Sequence, residues 1–184
     1  MMAGTGRAAA VRTGVALFAA AFLVRLPVCA CGLPYQYSAD ECLYLDRSLI
    51  LIQNGFDPAI YRIPGHLTVY LHFLVSGAYY AFGRLAGAFG SPQDFAVAHF
   101  VDPTGLTFAC RALEAAVSAA GVVLLFHVAR RWFSAPAALL AAAAYALHPL
   151  VLEQAGVERT DSAMLLETVA LLAVAQRLLE DRRG

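Results

Sequence analysis

Long apolar segments separated by shorter polar stretches dominate the chain. Five of them approach the roughly 20 residues needed to cross a bilayer, and they cover 10–30, 66–89, 106–129, 135–152 and 162–179. No stretch alternates apolar and polar residues in the way of a half-buried strand. Because the bilayer core offers the backbone no outside hydrogen-bond partner, the segments are expected to be helices. The pattern predicts an all-α membrane protein.

Basic residues near the segment ends indicate how many segments cross the membrane. They cluster at three places, Arg7/Arg12, Arg130/Arg131 and Arg177/Arg182/Arg183, and such clusters favour the cytoplasmic side. If the first two clusters both lie on the cytoplasmic side, the chain must cross the membrane an even number of times between them. Three apolar segments separate these clusters, so one of the three should not cross. Segment 66–89 is the best candidate, because Pro64 and Gly65 precede it and glycines interrupt it. We expect about four transmembrane helices plus a membrane-associated helix in a long first outer loop; five transmembrane helices are the alternative.

This topology divides the chain into three parts. Residues 10–30 are the first transmembrane helix, 31–105 a long outer loop with juxtamembrane helices, and 106–184 hold further transmembrane helices. Within the loop, 90–105 is rich in turn-forming residues and is predicted to be irregular. The alternative for the first segment is a cleaved leader, because "VCACG" is compatible with a cleavage site.

Composition agrees with a membrane location. The 184 residues are 60% hydrophobic and 14% charged, whereas soluble domains are nearer one half and one quarter. The 13 basic residues, all arginine, balance 13 acidic residues. Without a basic excess, no nucleic-acid partner is expected.

A stretch with several charged residues, "YSADECLYLDRSL", follows the first apolar segment and contains Asp40 and Glu41. If segment 66–89 does not cross, the loop that carries Arg159 and Asp161 lies on the same face of the membrane as Asp40 and Glu41. Ionisable groups at membrane depth are costly and by default indicate a functional site. The alternative is structural, because Ser38 and Glu41 fit a helix capping box and Asp161 fits an N-cap.

The order of motifs resembles the N-terminal part of a GT-C superfamily glycosyltransferase, of the protein O-mannosyltransferase-like and aminoarabinose-transferase-like branch. "FLVRLP" is followed by the acidic pair in "SADECLYL", by "GFDPAIYRIPGHLTVYL", and by the stretch from "CRALEAAV" to "VERTDSAMLLE". The resemblance covers about residues 10–180. Its motifs are short, so its specificity lies in their order and spacing.

The resemblance implies inverting transfer of a hexosyl or pentosyl group. The donor would be a polyprenyl-phosphate sugar in the cell membrane, and the acceptor a glycan, lipid or protein on the outer face. Asp40 and Glu41 would be catalytic, with Asp40 as the base that takes the acceptor's proton. Four residues would bind substrate: Arg111, Arg159, Asp161 and His66. The cofactor is left open, a divalent cation held by Asp40 and Asp161 being one option.

Relatives in this superfamily are several hundred residues long. The resemblance therefore implies that the chain is the N-terminal part of a larger enzyme, and it leaves open that the chain alone is inactive. The rival class is a non-catalytic membrane assembly or lipid-carrier-binding subunit, in which the acids are caps and surface charges. A transporter is disfavoured, because its acids should lie at mid-membrane.

Cysteine labelling tests the predicted topology. A membrane-impermeant thiol reagent applied from outside should reach cysteines engineered near Ala39, Gln93 and Gly156, but not one near Ser134. Labelling near Ser134 with protection near Gly156 would contradict the expectation that segment 66–89 does not cross.

Overall fold

The computed structural model describes residues 3–35, 38–61 and 64–181, so Arg182 and Arg183 lie outside the described residues. Over those ranges the chain forms helices and no strands: α1 (Ala3–Ala30), α2 (Ala39–Leu49), α3 (His66–Leu85), α4 (Pro92–Val101), α5 (Thr104–Ala129), α6 (Ala135–Leu147), α7 (Pro149–Ala155) and α8 (Asp161–Asp181). The prediction of an all-α membrane protein is confirmed.

Three of the described helices are long and apolar enough to cross a bilayer: Ala9–Ala30 within α1, α5, and α8. A fourth span results if α6 and α7 are counted as one bent segment. Helix α3 has 20 residues but is not among these candidates. That segment 66–89 does not cross stays a prediction. The orientation of the helices stays a prediction.

The predicted apolar segment 135–152 is broken where α6 meets α7. The two helices are bent by 58°, and His148 between them is extended, with φ −63° and ψ 126°. Pro149 explains the break, since proline sterically disfavours the helical conformation of the residue before it.

The prediction that 90–105 is irregular is wrong, because it contains α4. Ser91 caps this helix, its Oγ accepting a hydrogen bond from the Asp94 N–H at 3.1 Å. Pro92 occupies the first turn, where its missing N–H costs nothing. The combination is a helix-start signal that the abundance of turn-forming residues obscured.

The chain divides into two compact units. The first comprises residues 1–28, 115–155 and 161–184. Its apolar core is built largely from small side chains, Ala21, Ala119, Val122, Phe126, Ala129, Ala138 and Ala142, which let helix backbones approach closely. Arg25 is buried in this unit and donates hydrogen bonds to Ser118 Oγ at 3.0 Å and to the Ala21 carbonyl at 2.8 Å.

The second unit comprises residues 29–114 and 156–160. Two apolar clusters hold it together: Tyr44, Leu51, Ile60 and Val69 in one, and Leu45, Leu106 and Cys110 in the other. Tyr44 and Leu45, neighbours on α2, each contribute to a different cluster. Helix α2 is therefore held on two sides, which fixes the position of its N-terminal turn.

Gly65 allows the close contact at the start of α3. Its φ of +119° is rarely adopted by residues with a side chain. A Cβ there would lie 2.6 Å from the Tyr44 ring and 2.4 Å from Thr160 Cγ2. Beside it, the Tyr44 hydroxyl donates a hydrogen bond to the Pro64 carbonyl at 2.8 Å. The glycine thus lets the chain enter α3 while packed against α2 and the 156–160 loop.

Candidate functional site

A capping box begins α2, as the sequence predicts. The Asp40 N–H donates to Ser38 Oγ at 3.2 Å, and the Ser38 N–H donates back to Glu41 Oε2 at 3.3 Å. These bonds satisfy backbone donors that the first turn of a helix otherwise leaves without partners. The box also fixes which way the two neighbouring acids point.

Glu41 is fully buried, and its carboxylate accepts four hydrogen bonds from residues that the structure describes. Oε1 accepts from Arg111 Nε at 2.9 Å and from the Glu158 N–H at 3.2 Å. Oε2 accepts from Arg111 Nη2 and from the Ser38 N–H, both at 3.3 Å. A carboxylate offers about four lone-pair sites, so Glu41 is saturated by the protein itself.

Arg111, on α5, is the buried counter-ion of Glu41 and uses all its donors within the protein. Besides the two bonds to Glu41, Nη1 donates to the carbonyls of Cys29 and Cys31 at 3.2 and 2.9 Å, and Nη2 to that of Tyr35 at 3.3 Å. A guanidinium has five N–H donors, and these five bonds occupy them. In this arrangement none points to a substrate.

Asp40 and Arg159 form a second, more accessible pair. Arg159 Nε lies 3.4 Å from Asp40 Oδ2, and the two side chains are 33% and 50% exposed. Arg159 also donates to Ser38 Oγ through Nε at 3.2 Å and Nη2 at 2.8 Å. Unlike the Glu41–Arg111 pair, this carboxylate and guanidinium are open to molecules outside the protein.

Glu158 is a buried acid whose role the sequence did not indicate. Its side chain is fully buried, and neither carboxyl oxygen has a hydrogen-bond partner among the described residues. Burial, and next the nearby Glu41 carboxylate, raise its pKa well above the ordinary 4.5, against the opposing charge of Arg111. A raised pKa favours the protonated, uncharged form of Glu158 beside the Glu41 carboxylate.

A buried polar stripe on α3 was also missed. Thr68, His72 and Ser76 recur every four residues and are all buried. His72 Nε2 lies 3.4 Å from Oε1 of Glu114, a buried residue of α5. Residues four apart share one face of a helix. The spacing of these three polar residues within an apolar segment was therefore the signal in the sequence that could have predicted the stripe.

Asp161, in the first unit, is the first residue of α8 and lines a cavity of about 510 Å³. The cavity is mainly apolar, with residues Ala144, Tyr145, His148, Leu150, Val151, Gln154, Asp161 and Leu165 in its wall. Tyr145 Oη and Gln154 Oε1 are buried without a hydrogen-bond partner among the described residues. The cavity thus combines apolar walls with a few polar atoms that the described part of the protein leaves unsatisfied.

His66 is exposed at the start of α3. Residues 3–35, 38–61 and 64–181 also do not meet the requirements of a metal site. Within those ranges, no group of three or more His, Cys, Asp or Glu side chains is arranged to hold a metal ion. The divalent cation held by Asp40 and Asp161 therefore stays a prediction from the resemblance alone.

Comparison with known protein families gives a match within the second half of the chain. Residues 104–184 match the family model described as dolichyl-phosphate-mannose-protein mannosyltransferase. No curated protein and no solved structure matches the chain. The matched region begins with α5 and so includes Arg111, Glu158, Arg159 and Asp161.

The buried Glu158 predicts a particular pH dependence of stability. Because its pKa is higher in the folded chain than in the unfolded one, its contribution to stability is complete below about pH 4.5. That contribution is lost as the pH rises through the folded-state pKa. Glu158→Gln keeps the shape of the protonated acid without titrating, so its melting temperature should exceed that of the wild type increasingly as the pH rises.

Melting curves in detergent at a series of pH values measure this difference. Glu153→Gln is the matched control, because Glu153 is an exposed acid in α7. Parallel melting-temperature profiles for the wild type and Glu158→Gln would contradict the raised pKa.

Proposed function

We propose that the chain is part of a GT-C type membrane glycosyltransferase and takes part in sugar transfer from a polyprenyl-phosphate carrier. The match of residues 104–184 to the mannosyltransferase family model supports this proposal. The acceptor would be a hydroxyl-bearing molecule on the extracytoplasmic face of the cell membrane, and the anomeric carbon would be inverted. The observation that carries the proposal is the contrast between adjacent acids: Glu41 is saturated and buried, whereas Asp40 is half exposed beside a guanidinium.

Asp40 is the proposed general base. As the acceptor oxygen forms its bond to the anomeric carbon, the hydroxyl proton passes to the Asp40 carboxylate. The bond between the anomeric carbon and the phosphate oxygen breaks, and its electron pair leaves with the polyprenyl phosphate. An exposed carboxylate suits this role because the acceptor has to reach it. Glu41, whose oxygens are already occupied, holds the first turn of α2 in place instead.

Arg159 is the proposed contact to the leaving phosphate. Negative charge grows on the phosphate as its bond to the sugar breaks, and a guanidinium stabilises it through charge-assisted hydrogen bonds. Arg159 is partly exposed and lies beside Asp40. Arg111 was the other arginine expected to bind substrate, but its five donors are occupied within the protein. We therefore assign Arg111 a positioning role.

The cavity beside Asp161 suits the lipid end of the donor. Ligand cavities are typically apolar with a few polar groups that orient the ligand, and a polyprenyl-phosphate sugar combines a hydrocarbon chain with a polar head. In this proposal the apolar wall contacts isoprene units of the carrier, and Asp161, His148 and Gln154 are among the polar groups of the cavity. His66 remains a candidate contact to the sugar or the acceptor.

A non-catalytic lipid-carrier-binding subunit is the second candidate function. The saturation of Glu41 and Arg111 favours it, because two of the charges expected to act on substrate are engaged in holding the structure. Under this alternative the cavity would still bind the carrier, but Asp40 would only interact with Arg159. Activity of an Asp40 variant distinguishes the two functions.

Substitution of Asp40 tests the proposal. In membranes that contain the active enzyme, Asp40→Asn should lower transfer from a labelled polyprenyl-phosphate sugar by about 10²–10⁴-fold, as expected for loss of a general base. Donor binding should change little, because the side chain keeps its size. Arg159→Ala and Asp161→Asn should instead weaken donor capture and raise the KM for the donor.

Asp46→Asn is the matched control, since Asp46 is an exposed acid on the same helix and should leave transfer unchanged. Transfer at the wild-type rate by Asp40→Asn would rule out Asp40 as the base and leave the carrier-binding function.

A further inference from the structure

A second cavity, of about 180 Å³, lies in the second unit at the place where α3, α4 and the start of α5 come together. Its wall is formed by Tyr79, Phe89, Phe95, Ala98, His99, Asp102 and Leu106. Neither the proposed transfer nor the motifs of the sequence uses any of these residues. The cavity is small enough that a single ring-sized molecule would fill it.

Aromatic rings form one side of this cavity. Phe89 and Phe95 meet edge to face with ring centroids 5.3 Å apart, and Tyr79 lies 6.1 and 6.4 Å from them. The faces of aromatic rings carry partial negative charge, which attracts C–H groups that carry a small positive charge. The wall therefore suits a ligand with an apolar face made of polarised C–H bonds.

Two glycines leave room for the rings to lie close to the backbone, and an arginine anchors the turn that carries one of them. A Cβ at Gly83 would lie 2.1 Å from the Phe89 ring, and a Cβ at Gly105 would lie 2.1 Å from the Tyr79 hydroxyl. The Arg84 guanidinium donates to the carbonyls of Phe89 and Gly90, which anchors the turn that carries Phe89. The aromatic wall is thus preformed and does not need a ligand to assemble it.

Polar groups of two kinds also line the cavity. Asp102 is exposed, and hydrogen bonds from the Thr104 side chain and backbone lower the pKa of its carboxyl, so that it is an ionised acceptor. Burial lowers the pKa of His99, which favours the neutral imidazole with one donor and one acceptor nitrogen. The polar side therefore offers both acceptors and a donor to hydroxyl groups.

We propose that this cavity binds one monosaccharide ring of a neutral glycan. A pyranose has an apolar C–H face, which would pack on the rings of Tyr79, Phe89 and Phe95. Its equatorial hydroxyls would exchange hydrogen bonds with Asp102 and His99. The cavity volume limits the bound portion to about one ring, so the rest of a longer glycan would extend into solvent. Binding here does not depend on sugar transfer and is measurable in a chain that transfers nothing.

Saturation-transfer NMR tests the proposal on the purified chain in a detergent without a sugar head group, because a maltoside would compete. The probes are D-glucose, D-mannose and D-galactose, with sorbitol as a hydroxyl-rich compound that lacks a ring. The wild type should transfer saturation to the ring C–H protons of at least one monosaccharide and not to sorbitol. The affinity of so small a ligand should be weak, on the order of 1 mM.

Ala98→Leu provides the decisive variant, because a larger side chain at this wall position fills the cavity while every hydrogen-bonding group remains. Ala96→Leu is the matched control, as Ala96 is also exposed on α4 but is not among the residues that line the cavity. Ala98→Leu should abolish saturation transfer and Ala96→Leu should retain it, with both variants melting near the wild-type temperature. Asp102→Asn should weaken binding by about tenfold, the loss of a charge-assisted hydrogen bond.

Two results would overturn the proposal. One is the absence of saturation transfer from the wild-type chain to all three monosaccharides. The other is equal transfer by the wild type and Ala98→Leu, which would locate sugar binding elsewhere on the chain. Loss of sugar binding in Ala98→Leu would support this site even if the chain transfers no sugar. The proposed transfer is tested separately, by Asp40→Asn.

Discussion

The buried ion pair between Glu41 and Arg111 is the interaction on which the second unit depends. Its partners are 70 positions apart in the chain, and both side chains are removed from water. Taking two charges out of water is costly, and a buried pair is tolerated only when the remaining hydrogen-bonding capacity is also filled. Among the described residues, the Glu41 carboxylate accepts four hydrogen bonds and the Arg111 guanidinium donates five, so the pair meets that condition.

The pair holds together several segments that have little regular structure of their own. Arg111 fixes the last turn of α1 through the Cys29 carbonyl, and the chain after α1 through the carbonyls of Cys31 and Tyr35. Glu41 fixes the start of α2 through Ser38 and the 156–160 loop through the Glu158 N–H. The raised pKa of Glu158 favours its protonated form, which does not compete with Glu41 for Arg111. The loop can then present Arg159 beside Asp40.

The same arrangement gives two adjacent acids different environments. Successive residues on a helix point about 100° apart, so when Glu41 faces the buried arginine, Asp40 is turned toward the surface. The proposed chemistry needs this difference, with one carboxylate fixed by the protein and the other open to an acceptor. The resemblance assigned both acids to catalysis, and local spacing could not separate them, because the distinction comes from a partner on α5.

Sequence patterns predicted those features that depend on neighbouring residues. The helices of the long apolar segments and the capping box at Ser38 and Glu41 follow from local apolarity and side-chain chemistry. Helix α4 and the break at Pro149 were missed although their local signals, Ser91-Pro92 and His148-Pro149, stand in the sequence. The partner of Arg111 and the burial of Glu158 depend on contacts between distant segments, which no local pattern contains.

A double-mutant cycle on the ion pair tests its central role most directly. The free energy of unfolding would be measured for the wild type, Glu41→Gln, Arg111→Leu and the double variant. Each single change should cost about 3–5 kcal/mol, because it leaves one buried group without its partner. The double variant should lose clearly less than the sum, as expected for residues in contact. Additive losses, or single losses below about 1 kcal/mol, would contradict the claim that this pair holds the site.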